Sequence, residues 1–175
     1  MYLPMKAFAQ LLLFGLAAIA LSLIWVGPAS AGGSLAAIPG AAQLFAGQAP
    51  SYLGVHQEQL SPCPVTPNCV ASQAQDQSHF IEPLTYHSEP QRAQELLVQV
   101  LGVVPRTHIV EAEAGYIHAE AQSRLLGFVD DLEFYFPPND HKIQVRSAAR
   151  LGESDLGVNR RRLEQIRLAL QDLGV

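Results

Sequence analysis

Four consecutive segments in the second half of the chain alternate between apolar and polar residues, and this alternation constrains the fold more than any other feature. The segments are 107–112, 116–122, 127–136 and 142–150. A period of two is typical of β-strands that bury one face. Gly115 and the turn-forming run 137–140 leave only short connections. Neighbouring strands are therefore predicted to be antiparallel.

Further elements flank these four strands. On the N-terminal side, the apolar segment 80–86 predicts one more strand, and Ser88 is the expected N-cap of a helix that Pro105 ends. On the C-terminal side, Ser154 or Asp155 is expected to cap a last helix. The apolar stripe of that helix is predicted to consist of Leu156, Leu163, Ile166, Leu170 and Leu173.

The order of these elements, β-α-β-β-β-β-α, predicts an α+β fold. An antiparallel sheet of about four to five strands would carry its helices packed on one face. The length of 175 residues suits one domain better than two, and residues 61–175 are predicted to form it.

The first 31 residues have the organisation of an export signal. Lys6 precedes an uncharged, apolar run at 7–26, and Pro28 with Ala29-Ser30-Ala31 is typical of a cleavage site. Residues 1–31 are therefore predicted to be a signal peptide. A run of this length can also span a bilayer, so an anchor formed by an uncleaved N-terminal helix is the alternative. Residues 32–60 lack periodicity and are predicted to be a spacer, or a segment that lies along the domain surface.

Both cysteines of the chain, Cys63 and Cys69, lie in one short segment with Pro64 and Pro67 between them. In an exported protein two cysteines most simply form a disulfide. A reactive dithiol and one half of a metal site are the alternatives, although a redox pair usually has two residues between its cysteines and a metal site needs further ligands.

The strand alternation predicts one sheet face with an unusual number of charges. Tyr116, His118 and Glu120 share this face, and Arg146 and Arg150 of the last strand point the same way. In one interpretation the face is a solvated surface, on which Asp131 or Glu133 forms weak ion pairs with Arg146. In the other it is a binding face, where Arg146 and Arg150 hold an anion and His118 with Glu120 moves protons.

Three residues are predicted to carry polar groups to the apolar side. Asp130 shares a face with Phe128 and Phe134, so either a bulge shifts the register or an arginine or backbone donors satisfy the carboxylate. Asn159 falls within the apolar stripe of the last helix and needs partners there, from strand backbone or Asp130. Arg162 flanks that stripe and could reach back to the sheet. The N-terminus of this helix, beside Arg146 and Arg150, could cradle an anion, or Asp155 could simply cap it.

The net charge of the chain and the spacing of its histidines argue against two classes of function, nucleic-acid binding and metal binding. The formal net charge is -5, whereas a dedicated nucleic-acid-binding protein is normally basic, so no nucleic-acid partner is expected. The six histidines are scattered without a metal-binding spacing, and although His118 and Glu120 lie on one strand face, no metal site or cofactor is predicted.

Three blocks of sequence resemble the domain-of-unknown-function 1499 family. They are 63–72, with both cysteines, the Gly-Phe-Val-Asp-Asp-Leu-Glu-Phe segment at 127–134, and 145–160. The resemblance covers residues 61–172 and departs from the family pattern at Ala71 and Ala149, where serine is usual. It implies an exported or plastid-type protein of bacteria, including cyanobacteria, or of photosynthetic eukaryotes, so periplasm or thylakoid lumen is the expected location. It implies no activity and no catalytic residue.

These patterns favour a non-catalytic exported domain that binds a partner protein or a small anionic ligand. Its site is expected near the last strand and the start of the C-terminal helix. The candidate ligand-binding residues are His118, Glu120, Asp130, Asp131, Arg146, Arg150, Asp155, Asn159 and Arg162. One alternative is a hydrolase-like enzyme that uses Asp130 or Glu120 with His118. Another is lipid or pigment binding between the sheet and a helix.

Overall fold

A computed structural model of the chain describes residues 45–175. The predicted signal peptide, 1–31, and the first part of the 32–60 stretch lie outside these described residues. Within the described part, no helix combines the length and the apolar character needed to cross a membrane.

The described residues form eight strands and two helices. In chain order these are β1 (Val55–His56), β2 (Gln59–Leu60), β3 (Cys69–Ala71), β4 (Leu84–Thr85), α1 (Pro90–Val103), β5 (Thr107–Glu113), β6 (Tyr116–Gln122), β7 (Val129–Tyr135), β8 (Lys142–Ala149) and α2 (Val158–Asp172). The four long strands coincide with the four alternating segments of the sequence.

Six of the strands form one antiparallel sheet, which confirms the predicted α+β fold. Its path is β3-β8-β7-β6-β5, and β4 also pairs with β8. β3 pairs with the second half of β8 and β4 with its first two residues, so these short strands share one edge. β3 is the strand that the sequence did not predict, because three residues are too few to display a period of two.

The elements before the long strands are shorter than predicted. Of the 80–86 segment, only Leu84–Thr85 pairs with the edge of β8, and Phe80 forms an isolated bridge. Ser88 does not cap α1, because the N-cap position falls at Glu89, and no side chain closes that end of the helix.

Both helices contribute to a core on one face of the sheet. Its fully buried side chains are Ala93, Leu97 and Leu101 from α1, Leu163 and Ile166 from α2, and Ile117, Ala119, Leu132, Phe134, Ile143 and Val145 from the strands. These strand residues occupy alternate positions, as a period of two requires when one face packs against helices.

The last helix begins at Val158, three residues after the predicted cap. Asp155 still satisfies N–H groups at this end of the helix, because its carboxylate accepts hydrogen bonds from Gly157 at 2.9 Å and Asn159 at 2.8 Å. The N-cap position is Gly157, whose φ of 75° suits a glycine. Ser154 and Asp155 therefore lie in a turn that precedes the helix.

This later start corrects the predicted apolar stripe of α2. Leu156 lies in the turn and is 84% exposed, and Leu173 follows the last helical residue and is 51% exposed. Only Leu163, Ile166 and Leu170 of the predicted stripe are buried.

The described part of the 32–60 stretch packs on the sheet face opposite the helices. β1 and β2 form a small hairpin there. The backbone N–H of Gly54 donates to the Glu133 carboxylate at 2.8 Å. At the start of the described residues, the Phe45 ring contacts Phe128, which directly precedes β7, with ring centroids 5.2 Å apart.

The predicted disulfide is confirmed. Cys63 and Cys69 are bonded at an S–S distance of 2.05 Å. Cys69 is the first residue of β3, so the bridge fastens the preceding loop to the edge of the sheet.

The burial of α2 predicts the cost of truncating its core face. Leu163→Ala should lower the free energy of unfolding by about 2–5 kcal/mol, because it removes a fully buried side chain and leaves a cavity. Leu168→Ala on the exposed face of the same helix is the matched control and should change stability by less than about 0.5 kcal/mol. Urea denaturation measures both, and equal losses would contradict this packing.

Candidate functional site

Strand β7 is buried along its whole length although three of its seven residues are acids. Asp131 and Glu133 point away from the helices, and Asp130 points towards them. Each carboxylate lies beside an arginine from another element, and these three ion pairs organise the predicted site residues.

Arg150 is the centre of the first cluster on the face away from the helices. Its Nε and Nη2 donate to both oxygens of Asp131 at 2.8 and 2.7 Å, and Nη2 also donates to Glu120. His118 Nε2 lies 2.9 Å from Asp131 Oδ1. The hydrogen bond to Asp131 raises the pKa of Arg150 above its ordinary value, and that to Glu120 adds to this, so the guanidinium remains charged.

Glu133 is the centre of the second cluster. Arg146 Nη1 donates to its Oε2 at 3.1 Å, and the Tyr116 hydroxyl and the Gly54 N–H donate to its Oε1. Burial, followed by the neighbouring Glu133 charge, raises the pKa of Tyr116, so its hydroxyl stays a donor. The Arg146 guanidinium lies over the Tyr52 ring, and its central carbon is 5.4 Å from the ring centroid. Among the described residues, Arg146 Nε and Nη2 have no hydrogen-bond acceptor.

The prediction of a solvated sheet face with weak surface ion pairs is therefore wrong. The Glu133 and Arg146 side chains are 0% and 1% exposed. Arg146 does pair with Glu133, as one version of the prediction had it, whereas Asp131 pairs with Arg150. The 45–60 segment contributes to this cover through Tyr52 and Gly54, which the strand alternation alone could not indicate.

His118, Glu120 and Asp131 bring their possible ligand atoms within 4.8 Å of one another. One imidazole and two carboxylates could hold a transition metal. Arg150 donates to both of these carboxylates, however, and thereby supplies the positive charge that a metal would bring. The geometry is that of an ion-pair cluster, which orients His118 through Asp131.

Asp130 belongs to a separate network on the helix side of the sheet. Its register with β6 and β8 contains no bulge, and the partner is Arg162, whose Nη2 donates to Asp130 Oδ2 at 2.8 Å. Arg162 Nη1 also donates to the side-chain oxygen of Asn159 at 2.9 Å. The side-chain oxygen of the buried Asn159 accepts a hydrogen bond from the Ser147 hydroxyl, and its amide nitrogen donates to the Asn68 carbonyl. The prediction that an arginine satisfies Asp130 is confirmed.

The residues expected to form one site near β8 and the start of α2 lie on two different faces of the sheet. Arg146 and Arg150 make their ion pairs on the face away from the helices, whereas Asp130, Asn159 and Arg162 meet on the other face. Adjacent residues of a strand point to opposite faces, so β7 and β8 divide the predicted residues into two groups. The arginines of β8 therefore do not form a cradle with the N-terminus of α2.

Three further arginines meet Arg162 in one cleft of about 350 Å³, which we call the arginine cleft. Its basic lining consists of Arg106, Arg124, Arg161 and Arg162. Arg106 directly precedes β5 and Arg124 follows β6, so the antiparallel pairing of these strands brings both to the same end of the sheet. The first turn of α2 adds Arg161 and Arg162.

Arg106 is held firmly at the edge of this cleft. Its φ is 57°, a left-handed conformation that costs a non-glycine residue about 1 kcal/mol or more. Two hydrogen bonds to Gln122 fix it, one from the Gln122 N–H to the Arg106 carbonyl at 2.9 Å and one from Arg106 Nε to the Gln122 carbonyl at 3.1 Å.

Three of these arginines lack an acidic partner. Among the described residues, Arg106, Arg124 and Arg161 have no carboxylate within ion-pair distance, whereas Arg162 pairs with Asp130. Residues 1–44 contain no Asp or Glu. The sequence analysis did not identify Arg106, Arg124 or Arg161 as candidates, although arginines at adjoining ends of paired strands are a readable signal.

The neighbouring carboxyls Asp130 and Asp131 differ in the direction of their pKa shifts. Burial raises the pKa of Asp130, and Arg162 counters this only in part. Burial also acts to raise the pKa of Asp131, but the hydrogen bonds from Arg150 and His118 outweigh it and hold that pKa below the usual 3.8.

Acid titration of stability should therefore separate the two carboxyls. Ionised Asp131 stabilises the fold above its unfolded pKa, and this stabilisation is lost as pH falls through its lower folded pKa. The advantage of wild type over Asp131→Asn should shrink below about pH 4. For Asp130 the folded pKa is the higher one, so wild type should gain stability relative to Asp130→Asn on acidification. Urea denaturation between about pH 7 and pH 3 measures both differences, and a change in the same direction would contradict the assignment.

Comparison with known proteins identifies a family but no characterised relative. No curated protein and no solved structure matches the chain. Residues 59–170 match the family described as "Protein of unknown function (DUF1499)", which confirms the resemblance seen in the sequence blocks. Because the match covers more than half of the 175 residues, the chain belongs to this DUF1499 family.

Proposed function

We propose that this protein is an exported, non-catalytic binding domain that holds a small anionic ligand in the arginine cleft. Export to the periplasm or the thylakoid lumen is part of the proposal. The signal-like residues 1–31 support it, as does the Cys63–Cys69 disulfide, since such bonds persist in oxidising compartments.

The observation that carries the proposal is that several arginines without a carboxylate partner lie in one cleft of an acidic chain. The formal net charge is -5, yet Arg106, Arg124 and Arg161 share one cleft without an acid in its lining. Like charges that line the same cleft repel each other, and an anion bound there would relieve that repulsion. Arginine also presents several N–H donors in a planar fork that matches phosphate and carboxylate groups.

The dimensions of the cleft suit a small molecule. A volume of about 350 Å³ lies within the usual range of ligand sites. Its walls come from the first turn of α2, the residues around Arg106 and the loop after β6, so three separate chain segments position the donors. The two hydrogen bonds that fix Arg106 reduce the ordering that binding would require.

Titration with inorganic pyrophosphate tests this site. Calorimetry at low ionic strength should detect binding that weakens as salt rises. The single variants Arg106→Ala, Arg124→Ala and Arg161→Ala should each weaken binding about two- to fivefold, as expected for partly exposed ion pairs, and the triple variant should abolish it.

Arg92→Ala is the matched control for that titration, because Arg92 is an exposed arginine that pairs with Glu95 on α1. Its pyrophosphate affinity should equal that of wild type. Absence of binding to wild type, or an equal loss in Arg92→Ala, would overturn the proposal.

A hydrolase-like enzyme is the second candidate, and the 2.9 Å contact between His118 and Asp131 favours it, because an acid often orients a catalytic histidine. Neither predicted acid fits this role well. Asp130 points to the opposite face, and Glu120 is bonded to Arg150. Ser147 also lies on the helix side, where its hydroxyl donates to Asn159. The alternative of lipid or pigment between sheet and helix meets a core filled by buried side chains.

Ester hydrolysis separates the two candidates. Under the first proposal, wild type and His118→Gln release p-nitrophenol from p-nitrophenyl acetate at the same background rate. A wild-type rate above background that His118→Gln removes, with His87→Gln unaffected as the exposed control, would favour the enzyme instead.

A further inference from the structure

A second cleft adjoins the arginine cleft and has a different character. Its volume is about 210 Å³, and its apolar lining includes Phe128, Leu151, Leu156 and Val158. Val158 and Ser123 line both clefts, so the two share a common wall. We call this second space the apolar cleft.

One hydrogen bond ties the two clefts together. Arg161 Nη1 donates to the Leu156 carbonyl at 2.8 Å, which places a guanidinium of the arginine cleft beside the loop that borders the apolar cleft. The loop between β6 and β7 makes a similar connection in sequence, since Arg124 in the arginine cleft is followed by Leu125 and Leu126.

Large apolar side chains are exposed in the lining of the apolar cleft and in the loop segment that follows Arg124. Leu125 is 90% exposed and Leu156 is 84% exposed, and Leu126 and Leu151 are also exposed. Single exposed leucines are ordinary, but a group of them beside a concave apolar surface is typical of a binding site. An apolar ligand that binds in the apolar cleft could cover the exposed leucines there.

The acids of the apolar cleft are already engaged. Asp130 accepts a hydrogen bond from Arg162, and Asp155 accepts two from backbone N–H groups before and within the first turn of α2. Since these carboxylates already have hydrogen-bond partners, the part of this cleft that still lacks a binding partner is its apolar surface. In the arginine cleft, the feature that still lacks a binding partner is the positive charge.

We infer that the two clefts together bind an anionic amphiphile, with a phosphate, sulfate or carboxylate head in the arginine cleft and an apolar tail in the apolar cleft. This inference rests on the proposed function, because the head group is the anion proposed there. The tail adds burial of apolar surface at the same end of the molecule, and about 0.8 kcal/mol per buried methylene corresponds to a fourfold gain in affinity at most.

A series of alkyl phosphates tests the inference. Ethyl, butyl and hexyl phosphate, each below its micellar concentration, should bind with affinity that rises about two- to fourfold per methylene. Arg161→Ala should weaken every member by the same factor. Leu151→Ser with Leu156→Ser should reduce the dependence on chain length and leave ethyl phosphate unchanged. Both leucines are exposed, so the double variant should fold, and its thermal unfolding checks this.

The outcomes separate this inference from the proposed function. If ethyl phosphate binds but chain length has no effect, the tail site is overturned and the anion site stands. If no alkyl phosphate and no pyrophosphate binds, both are overturned. Binding to phosphatidylglycerol vesicles, with phosphatidylcholine vesicles as control, but not to hexyl phosphate would assign the surface to a lipid bilayer and overturn the cleft as a tail site. A chain-length effect that the leucine variants leave unchanged would also overturn it.

Discussion

The fold depends on satisfying three carboxylates that one fully buried strand carries. Asp130, Asp131 and Glu133 of β7 lose their contact with water when the helices cover one sheet face and other segments cover the opposite face. A buried carboxylate without a partner costs several kcal/mol, and removal of one member of a buried pair typically costs about 3–5 kcal/mol. Arg162, Arg150 and Arg146 supply the partners, one for each acid. These arginines come from β8, the residue directly after it, and α2, so the ion pairs also fix how those elements lie against β7.

Because these three arginines are engaged in buried ion pairs, the functional surface must be sought elsewhere on the molecule. The sequence predicted that Arg146 and Arg150 bind a ligand, because they lie on a charged sheet face. In the structure their guanidinium groups neutralise acids beneath a cover that includes Tyr52 and Gly54. The positive charges that remain without acids are at the loops beyond the ends of the strands. Loops that a rigid scaffold positions are frequent sites of binding, and here the scaffold is the ion-paired sheet.

The sequence predicted those parts of the fold that a local period reveals. The four long strands follow from a period of two. The place of Asp130 among Phe128 and Phe134 predicted either a bulge or a partner for its carboxylate, from an arginine or backbone donors. Alternation reports only that a face is polar, however, and a polar face covered by another segment has the same pattern as one in water. The covering segment, 45–60, has no period and little charge, so its contact with Glu133 was invisible. The start of α2 was placed too early because Asp155 bonds to the N–H groups of Gly157 and Asn159 from a turn that precedes the helix.

Arg162 links the core to the arginine cleft. The same guanidinium lines the cleft, bonds to Asp130 in the buried strand and donates to Asn159, which accepts a hydrogen bond from Ser147 of β8. A side chain held by so many partners cannot reorient freely, so the cleft has one wall that is fixed before any ligand arrives. Arg106 is held as well, by its two hydrogen bonds to Gln122, whereas Arg124 and Arg161 have no acids to hold them and can adapt to the ligand. On the proposed function, an anion would therefore meet a rigid floor and adjustable sides, and its binding free energy would add to the stability of the network that holds Asp130 in the core.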